Sequence, residues 1–529
     1  MKYFDRHQFL TRLKHSTLWD VIVIGGGATG LGTALDAASR GFHTLLLEQS
    51  DFAKATSSRS TKLVHGGVRY LGLGQLGLVY EGLRERGLMK KNAPHLVMPQ
   101  SFIIPCYTWW GKIKYWIGLK FYDGMAGSLS FGQSRFFSRS NLIQSIPQIK
   151  KEGLKGGIEY WDGQFDDARM AINIAQTCAE HGGTLVNYVK ITGLIKGVNG
   201  KIKGVVALDM ENKTEHHLHA KVVINATGVF VENILQMDTD SRKHVVRPSQ
   251  GVHIVLNKSF LPGDQAIMIP QTTDKRVLFA VPWYDQVLVG TTDTPVDLTC
   301  LEPVALDKEI DFILDTAGKY LNPGPTRKDI LSVFAGLRPL ATPNGNSSYT
   351  KDISRSHHLV VNSSGLITIT GGKWTTYRKM AEDTIDQAIV TGGLTPSPCI
   401  TKNLKIHGYM PANLNNHLSK YGSDEPEISQ VIEEFPEWGK KLDERFPYLR
   451  VEVIWAVRHE MARTVEDVLA RRLRILFLDA RAAMDLSVAV AQLMANELGY
   501  DRQWQESQVK EFKELALQYL PGPLPLQQS

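Results

Sequence analysis

Residues 20 to 51 read DVIVIGGGATGLGTALDAASRGFHTLLLEQSD, and no other stretch narrows the choice of folds as much. Val21 to Ile24 is a short apolar run of the kind that parallel sheets bury on both faces. Gly25, Gly27 and Gly30 form G-x-G-x-x-G. The first allows a tight turn, the second lets backbone approach a pyrophosphate, and the third lets a helix pack on the strand. The helix would open at Ala28 and Thr29, where unpaired N–H groups favour phosphate. Leu45 to Leu47 reads as the next strand, and Glu48 at its end is placed to accept bonds from an adenosine ribose. Strand, glycines, helix, strand and acid together specify a dinucleotide-binding unit. The bland alternative is a chance glycine turn.

The fingerprint alone does not separate NAD from FAD. The next stretch, SSRSTKLVHGGVRYL (57–71), is too polar for a buried strand and too rich in glycine for a helix. Ser57, Ser58, Lys62, His65 and Gly66 suit a second polar cradle along a longer cofactor, and FAD has the ribityl chain and ring to need one. Two later segments agree. KVVINATGVF (221–230) is a strand ending in Ala226-Thr227-Gly228 that can return to the dinucleotide sheet. SGLITITGGKWTTYRKMAEDTIDQAI (364–389) is a strand, Gly371-Gly372, and a helix starting near Lys373. A helix start and a lysine there could stabilise charge at the N1–C2=O edge of a reduced flavin. An ordinary turn with a solvated lysine is the competing reading.

A chain of 529 residues implies two or three domains. Cys106, Cys178, Cys300 and Cys399 lie far apart without a CxxC pair. That speaks against a disulfide framework and a zinc site, so no metal is expected. The N-terminal twenty residues lack an apolar core of signal-peptide type, and no run reaches the ~18 apolar residues of a membrane span. No Arg-rich or aromatic module suggests nucleic-acid binding. The net charge of +6 permits anionic partners without identifying one.

Taken with the glycine fingerprint, SSRSTKLVHGGVRYL resembles the FAD-dependent glycerol-3-phosphate dehydrogenases. So do WDGQFDDARM (161–170), VPWYDQVLVGTTD (281–293), FAGLRPL (334–340), TGGKWTTYRKMAE (370–382) and HEMARTVEDVLARR (459–472), in family order. The resemblance implies an α/β fold: a Rossmann-like FAD-binding domain of the glutathione-reductase/D-amino-acid-oxidase type, an antiparallel cap and a C-terminal all-α domain. It implies oxidation of sn-glycerol 3-phosphate to dihydroxyacetone phosphate, with hydride passing from C2 to flavin N5 and electrons to a quinone, ubiquinone by expectation. It also implies a bacterial type of protein, peripheral on the cytoplasmic face of the inner membrane. Arg59 and Thr61 depart from the small residues usual in the SSxSxKLxHGG segment.

By the same resemblance, Arg338, Lys373, Arg355, Arg69 and Tyr70 lie near the substrate, whose phosphate calls for guanidinium forks or a lysine. His253, inside the alternating VHIVL, becomes the leading base, although a histidine there is more often a satisfied core residue. His65 is second. Thr292, in the Thr291-Thr292-Asp293 hairpin end, either lines the site or caps a strand. Val189 and Gly336 join the expected flavin contacts.

Residues 107 to 122, YTWWGKIKYWIGLKFY, carry seven aromatics, three lysines and no acid. Such a segment suits an anionic membrane surface. As a helix it would present Trp109, Ile113, Trp116 and Ile117 on one face, interrupted by Lys120. A core helix or a homodimer contact is the alternative. The expected domains are 1–92, 153–230 and 321–395 for FAD, 93–152 and 231–320 for the cap, and 400–529 for the helical unit. Its run Arg471, Arg472 and Arg474 reads as a solvated face. Two rival functions stand beside quinone reduction: a glycerol-3-phosphate oxidase that forms peroxide without lipid, and a flavin-binding protein without turnover.

Overall fold

A computed structural model describes residues 4–522 except 73, 239–244, 271, 273–275, 343–356 and 412–415. Trp19–Ile24, almost entirely apolar, lies in the middle of an eight-stranded sheet. It pairs in parallel with Thr44–Leu47 on one side and with Glu215–Asn225 on the other. Ile367–Gly371 and Thr184–Val186 extend the sheet, again in parallel. Helices Ala28–Ser39, Asp167–Glu180 and Tyr377–Gly392 cover it. Val21, Ile22, Leu31, Leu35, Ile172 and Ile385 meet in one core. Burial on both faces is what the unbroken apolar run required.

The second sheet has ten strands and is mostly antiparallel. Val246–Asn257 is its spine, paired with Gln286–Gly290 and with Ile330–Ala341. Its sequence-expected boundaries need correction. Gly157–Phe165 was expected within the FAD segment 153–230, yet it pairs with Val97–Pro105 along its whole length. Ile330–Ala341, expected within 321–395, pairs with Val246–Asn257. Both strands are buried along most of their length.

The C-terminal unit is helical, with Arg450–His459, Ala480–Leu498 and Arg502–Leu517 as its main elements. It shares a core with the second sheet: Val468, Leu476, Phe477 and Met494 pack with Val255, Trp283, Leu288 and Phe334. The solvated reading of Arg471, Arg472 and Arg474 is overturned. Their relative exposures are 2%, 1% and 0%. Arg471 and Arg472 both grip Asp51, which follows the second strand of the fingerprint. Arg471 also pairs with Glu466 at 2.7 Å and Asp467 at 2.6 Å. The sequence hid this because the acid lies some 420 residues away.

Trp109–Ala126 is a helix, as expected, but its faces are partitioned differently. Trp109, Trp110, Ile113, Ile117 and Phe121 are exposed together with Lys114 and Lys120. Trp116 instead is partly buried against the cluster of Phe102, Leu119 and Tyr160, and it stacks on Phe136 at 5.1 Å. Among the described residues, no helix is long and apolar enough to cross a membrane.

Asp51→Asn would leave two buried guanidinium groups facing a neutral amide. Breaking a buried ion pair from one side costs about 3–5 kcal/mol. The variant should unfold at a clearly lower temperature by calorimetry; an unchanged transition would remove this tie between the domains.

Candidate active site

One cleft opens at the C-terminal edge of the first sheet, a second lies against the second sheet, and a space lies between them. The first, of about 340 Å³, is walled by Gly25, Gly27, Ala28 and Thr29, by Glu48 and Val189, by Ala226, Thr227 and Gly228, and by Gly371, Gly372 and Lys373. Gly25 has φ +108°, and a Cβ there would sit 2.8 Å from the Ala226 carbonyl oxygen. A Cβ on Gly30 would collide with the Gly25 carbonyl. The helix Ala28–Ser39 can therefore start hard against the strand only with these glycines. Gly27 gives that helix no side-chain cap. Its first N–H, from Ala28, donates to Ser57 Oγ at 2.9 Å. Glu48 accepts from the Gly26 N–H at 2.6 Å and from the Ser50 N–H at 2.9 Å. Burial pushes its carboxyl above the ordinary range, against the pull of those donors.

The second cleft holds His65, Arg69, Tyr70, Thr292, Arg338 and Arg276, with Phe102, Tyr160, Met268 and Phe279 as apolar wall. Arg338 donates to Thr291 Oγ1 at 2.9 Å and lies 3.5 Å from Asp293. The Lys373 ammonium stands 4.0 Å from the centre of the Tyr70 ring. The space between the clefts is bounded by His65, His253, Gly336, Arg338, Gly372 and Lys373. Residues from five distant stretches thus meet at one place.

His253 is 2% exposed and stacks on Phe334 with ring centres 5.0 Å apart. Its Nε2 lies 2.9 Å from Thr61 Oγ1, so the bulkier Thr61 has a partner that a smaller residue would lack. Burial, then the nearby Lys62 and Arg338 cations, holds the imidazole well below its ordinary pKa. The ring is neutral at neutral pH and can accept a proton.

Several expected contacts are placed elsewhere. Lys62 is fully buried behind the cleft, donating to the Ser58 carbonyl at 2.6 Å and to Asp167 at 2.7 Å. Burial pushes it down to about 7. Its backbone lies at φ +62°. Ser58 is likewise buried, its hydroxyl near the Lys54 and Ala55 carbonyls. The Gly66 N–H is taken by Tyr122 Oη at 2.8 Å, and Gly67 lines the cleft instead. Gly336 borders the space between the clefts rather than the first cleft. The Thr292 hydroxyl is already engaged, donating to Glu309 and accepting from the Val252 N–H, both at 2.9 Å. Arg355 lies outside the described residues. Arg276 was missed. It lies two residues before the strand Leu278–Trp283, and a cation five residues ahead of the VPWYDQVLVGTTD hairpin was the available signal.

The first cleft fits an extended dinucleotide: backbone N–H groups at a helix start, an acid at a strand end, and glycines that leave room at both ends. The second fits a small dianion.

Comparison with known proteins agrees with this division. A family model described as FAD dependent oxidoreductase matches residues 20–378, and one described as the C-terminal domain of alpha-glycerophosphate oxidase matches 365–505. The chain is 38% identical to the protein named glycerol-3-phosphate dehydrogenase, mitochondrial, of Homo sapiens, over 96% of this chain and 74% of that protein. It is 38% identical to the Arabidopsis thaliana protein of similar name, over 94% and 85%. A structure of the Bacillus halodurans glycerol-3-phosphate dehydrogenase complexed with FAD superposes with a TM-score of 0.80 at 28% identity, over 99% of this chain and 100% of that one. An L-alpha-glycerophosphate oxidase structure from Mycoplasma pneumoniae, at 15% identity and TM-score 0.56, shares the fold.

The neutral state of His253 has a measurable sign. An unfolded histidine protonates near pH ~6.5, while the folded ring does not. The stability this site contributes is present above that pH and is lost as pH falls below it. In a histidine-labelled sample, the His253 resonance should stay in its neutral position through pH 6.5. A midpoint at or above that value would refute the assignment.

Proposed function

The chain belongs to the FAD-dependent glycerol-3-phosphate dehydrogenases, and from that premise we propose how its residues divide the work. The protein is an FAD-dependent oxidoreductase that converts sn-glycerol 3-phosphate to dihydroxyacetone phosphate. The carrying observation is that Arg338 lines both the second cleft and the space that joins it to the first, with Arg69 in the second cleft and Lys373, over the Tyr70 ring, bordering that space. FAD, when bound, supplies the hydride acceptor. In our reading the first cleft holds it: Gly25, Gly27, Ala28 and Thr29 face the pyrophosphate, Glu48 the ribose, and Gly371 to Lys373 the far end. Arg69, with Arg276 beside it, takes the substrate phosphate. Arg338 and Lys373 orient the carbon chain and offset charge near the reacting carbon. His253 accepts the hydroxyl proton, with His65 on the same wall as the second candidate.

The acceptor of the electrons is a further proposal. The exposed stripe on Trp109–Ala126 combines Trp110, Ile113, Ile117 and Phe121 with Lys114 and Lys120. Aromatics favour the headgroup zone and lysines favour anionic lipid. The inner side of the same helix reaches the cluster containing Phe102, Tyr160 and Met268, which also wall the second cleft. This arrangement supports a lipid-soluble quinone, as on a bacterial inner membrane, over oxygen.

Anaerobic addition of sn-glycerol 3-phosphate should bleach the flavin band near ~450 nm. Rapid reoxidation by a quinone and slow reoxidation by oxygen would support the dehydrogenase; the reverse order would make it an oxidase. No bleaching of intact holoenzyme would remove the substrate assignment. Arg338→Ala should lower kcat/KM by about 10²-fold, as expected for loss of a charge-assisted contact. Trp110→Ser/Ile117→Ser should lose binding to vesicles containing anionic phospholipid while keeping flavin reduction. Unchanged vesicle binding would place the membrane contact elsewhere.

A further inference from the structure

We infer that the C-terminal helical domain positions the loop cradling the dinucleotide, and that Arg474 is the residue through which it acts; this rests on the assignment of the first cleft to FAD. The loop has little to hold it by itself. It brings Lys54, Ala55, Thr56 and Ser57 to the cleft through a single three-residue turn, Thr56–Ser58. Within it, the Ser58 N–H reaches the Ala55 carbonyl at 3.4 Å and the Arg59 N–H reaches Thr56 at 3.1 Å. The first is longer than an ordinary N–H···O bond and only the second is within range. From the second sheet, the Leu337 carbonyl accepts from the Thr56 hydroxyl at 2.6 Å.

Lys54 at its start is paired with Glu466 of the C-terminal unit at 2.6 Å and Arg59 at its end donates to the Ala335 carbonyl at 3.0 Å, but the peptide next to Ser57 is fixed from behind. The Ser58 carbonyl receives two cationic donors, Arg474 Nη2 at 3.0 Å and Lys62 Nζ at 2.6 Å. The same two cations hold Asp167, one on each carboxylate oxygen, at 2.9 Å and 2.7 Å. Asp167 Oδ2 also accepts from the Ser60 N–H at 3.1 Å and hydroxyl at 2.7 Å. Carbonyl, two cations and carboxylate close a ring. Arg474, Lys62 and Asp167 are all at 0% exposure. Trp283 and Phe477 lie against both cations and keep water out.

Arg474 comes from 416 residues further along the chain than Ser58. Its backbone sits at φ +65°, which disfavours any side chain with a Cβ. Such a conformation persists where the surroundings over-determine it. One residue before Ser58, on the cleft side, Ser57 Oγ accepts from Ala28 at 2.9 Å and the Ser57 carbonyl accepts from the Trp374 indole at 2.8 Å. The peptide held by Arg474 is thus adjacent to the one that meets the helix start. Arg474 does not reach the cleft itself; it is a positioning residue.

The test is titration of deflavinated full-length protein with FAD, followed by flavin fluorescence, for wild type, Arg474→Ala, Arg474→Lys and Arg445→Ala. Arg445 forms an exposed C-terminal ion pair with Asp443 and Asp485, none of which borders the clefts. Arg474→Ala should bind FAD at least tenfold more weakly. Arg474→Lys, able to keep one partner, should recover part of the loss, and Arg445→Ala should bind like wild type. A folded Arg474→Ala protein with wild-type FAD affinity overturns the inference, and so does an equal loss in Arg445→Ala. If Arg474→Ala does not fold, hydrogen exchange of the wild-type apoprotein decides. Amides of 54–60 opening together with those of 468–478 support the tie, and independent opening refutes it. Wild type that binds no FAD removes the cleft assignment and the tie together, whereas loss of the tie alone leaves the cleft standing.

Discussion

Parallel pairing of Trp19–Ile24 with its two neighbours is the constraint on which the site depends. Register sets Ile24 beside Leu47 and Asn225, and Asn225 beside Thr368. The turns that follow these strands, at Gly25, Glu48, Ala226 and Gly371, therefore open on one edge although they span some 350 residues. Ligands of open parallel sheets bind at that edge because the turns there are free to vary while the strands are not. These turns form much of the wall of the first cleft, with Val189 and the loop Lys54 to Ser57 completing it. The second sheet contributes differently: Ile330–Ala341 runs beside Val246–Asn257 and delivers Arg338 and His253 from neighbouring strands. The chemistry sits where the two sheets adjoin.

Two populations of cation follow from that architecture. Those of the clefts are partly exposed and set against aromatic or hydroxyl neighbours, as at Lys373 over Tyr70 and Arg338 on Thr291. Those behind the clefts are fully buried and matched to carboxylates. The buried set shapes the exposed one. Burial first, then Lys62, although matched to Asp167, and Arg338 hold His253 below its ordinary pKa. A buried imidazole with cations nearby stays neutral without a carboxylate partner. That differs from a histidine oriented by a carboxylate, whose partner would raise its pKa.

The sequence made the dinucleotide unit legible because its signals are local. Glycine spacing, strand composition and a terminal acid all fall within thirty-two residues, each with a direct physical reason. Gly371 to Lys373 and Ala226 to Gly228 were legible for the same reason. Lys62 and Ser58 were not. Both belong to a polar run that pointed to an anionic ligand, but alternation of side chains is broken by the Thr56–Ser58 turn and by the positive φ at Lys62. Their true partners, Asp167 and Lys54 with Ala55, are a distant carboxylate and local carbonyls. The three arginines near 472 looked like a solvated face because charge runs usually are. Nothing nearby in the chain revealed Asp51 or Asp167. On Trp109–Ala126, composition correctly suggested an unusual surface, yet only packing against the cluster of Phe102, Leu119 and Tyr160 shows that Trp116 is partly buried.

Burying so many ions between the C-terminal unit and the nucleotide domain needs a reason other than adhesion. Apolar packing already joins that unit to the second sheet through Phe477, Phe334 and Trp283. Replacing a buried ion pair by apolar groups of similar volume is often neutral or stabilising, so adhesion alone would not select it. A greasy contact tolerates sliding, because its energy changes little with a small shift. A guanidinium bonded at once to a carbonyl and a carboxylate does not tolerate it, since a shift that keeps one bond strains the other. At Ser58 that matters more than anywhere else on the interface. The next peptide toward the cleft carries the hydroxyl that meets the start of the phosphate-facing helix. Apolar packing supplies the attachment, and the ion ring supplies the register in which the cradle is presented.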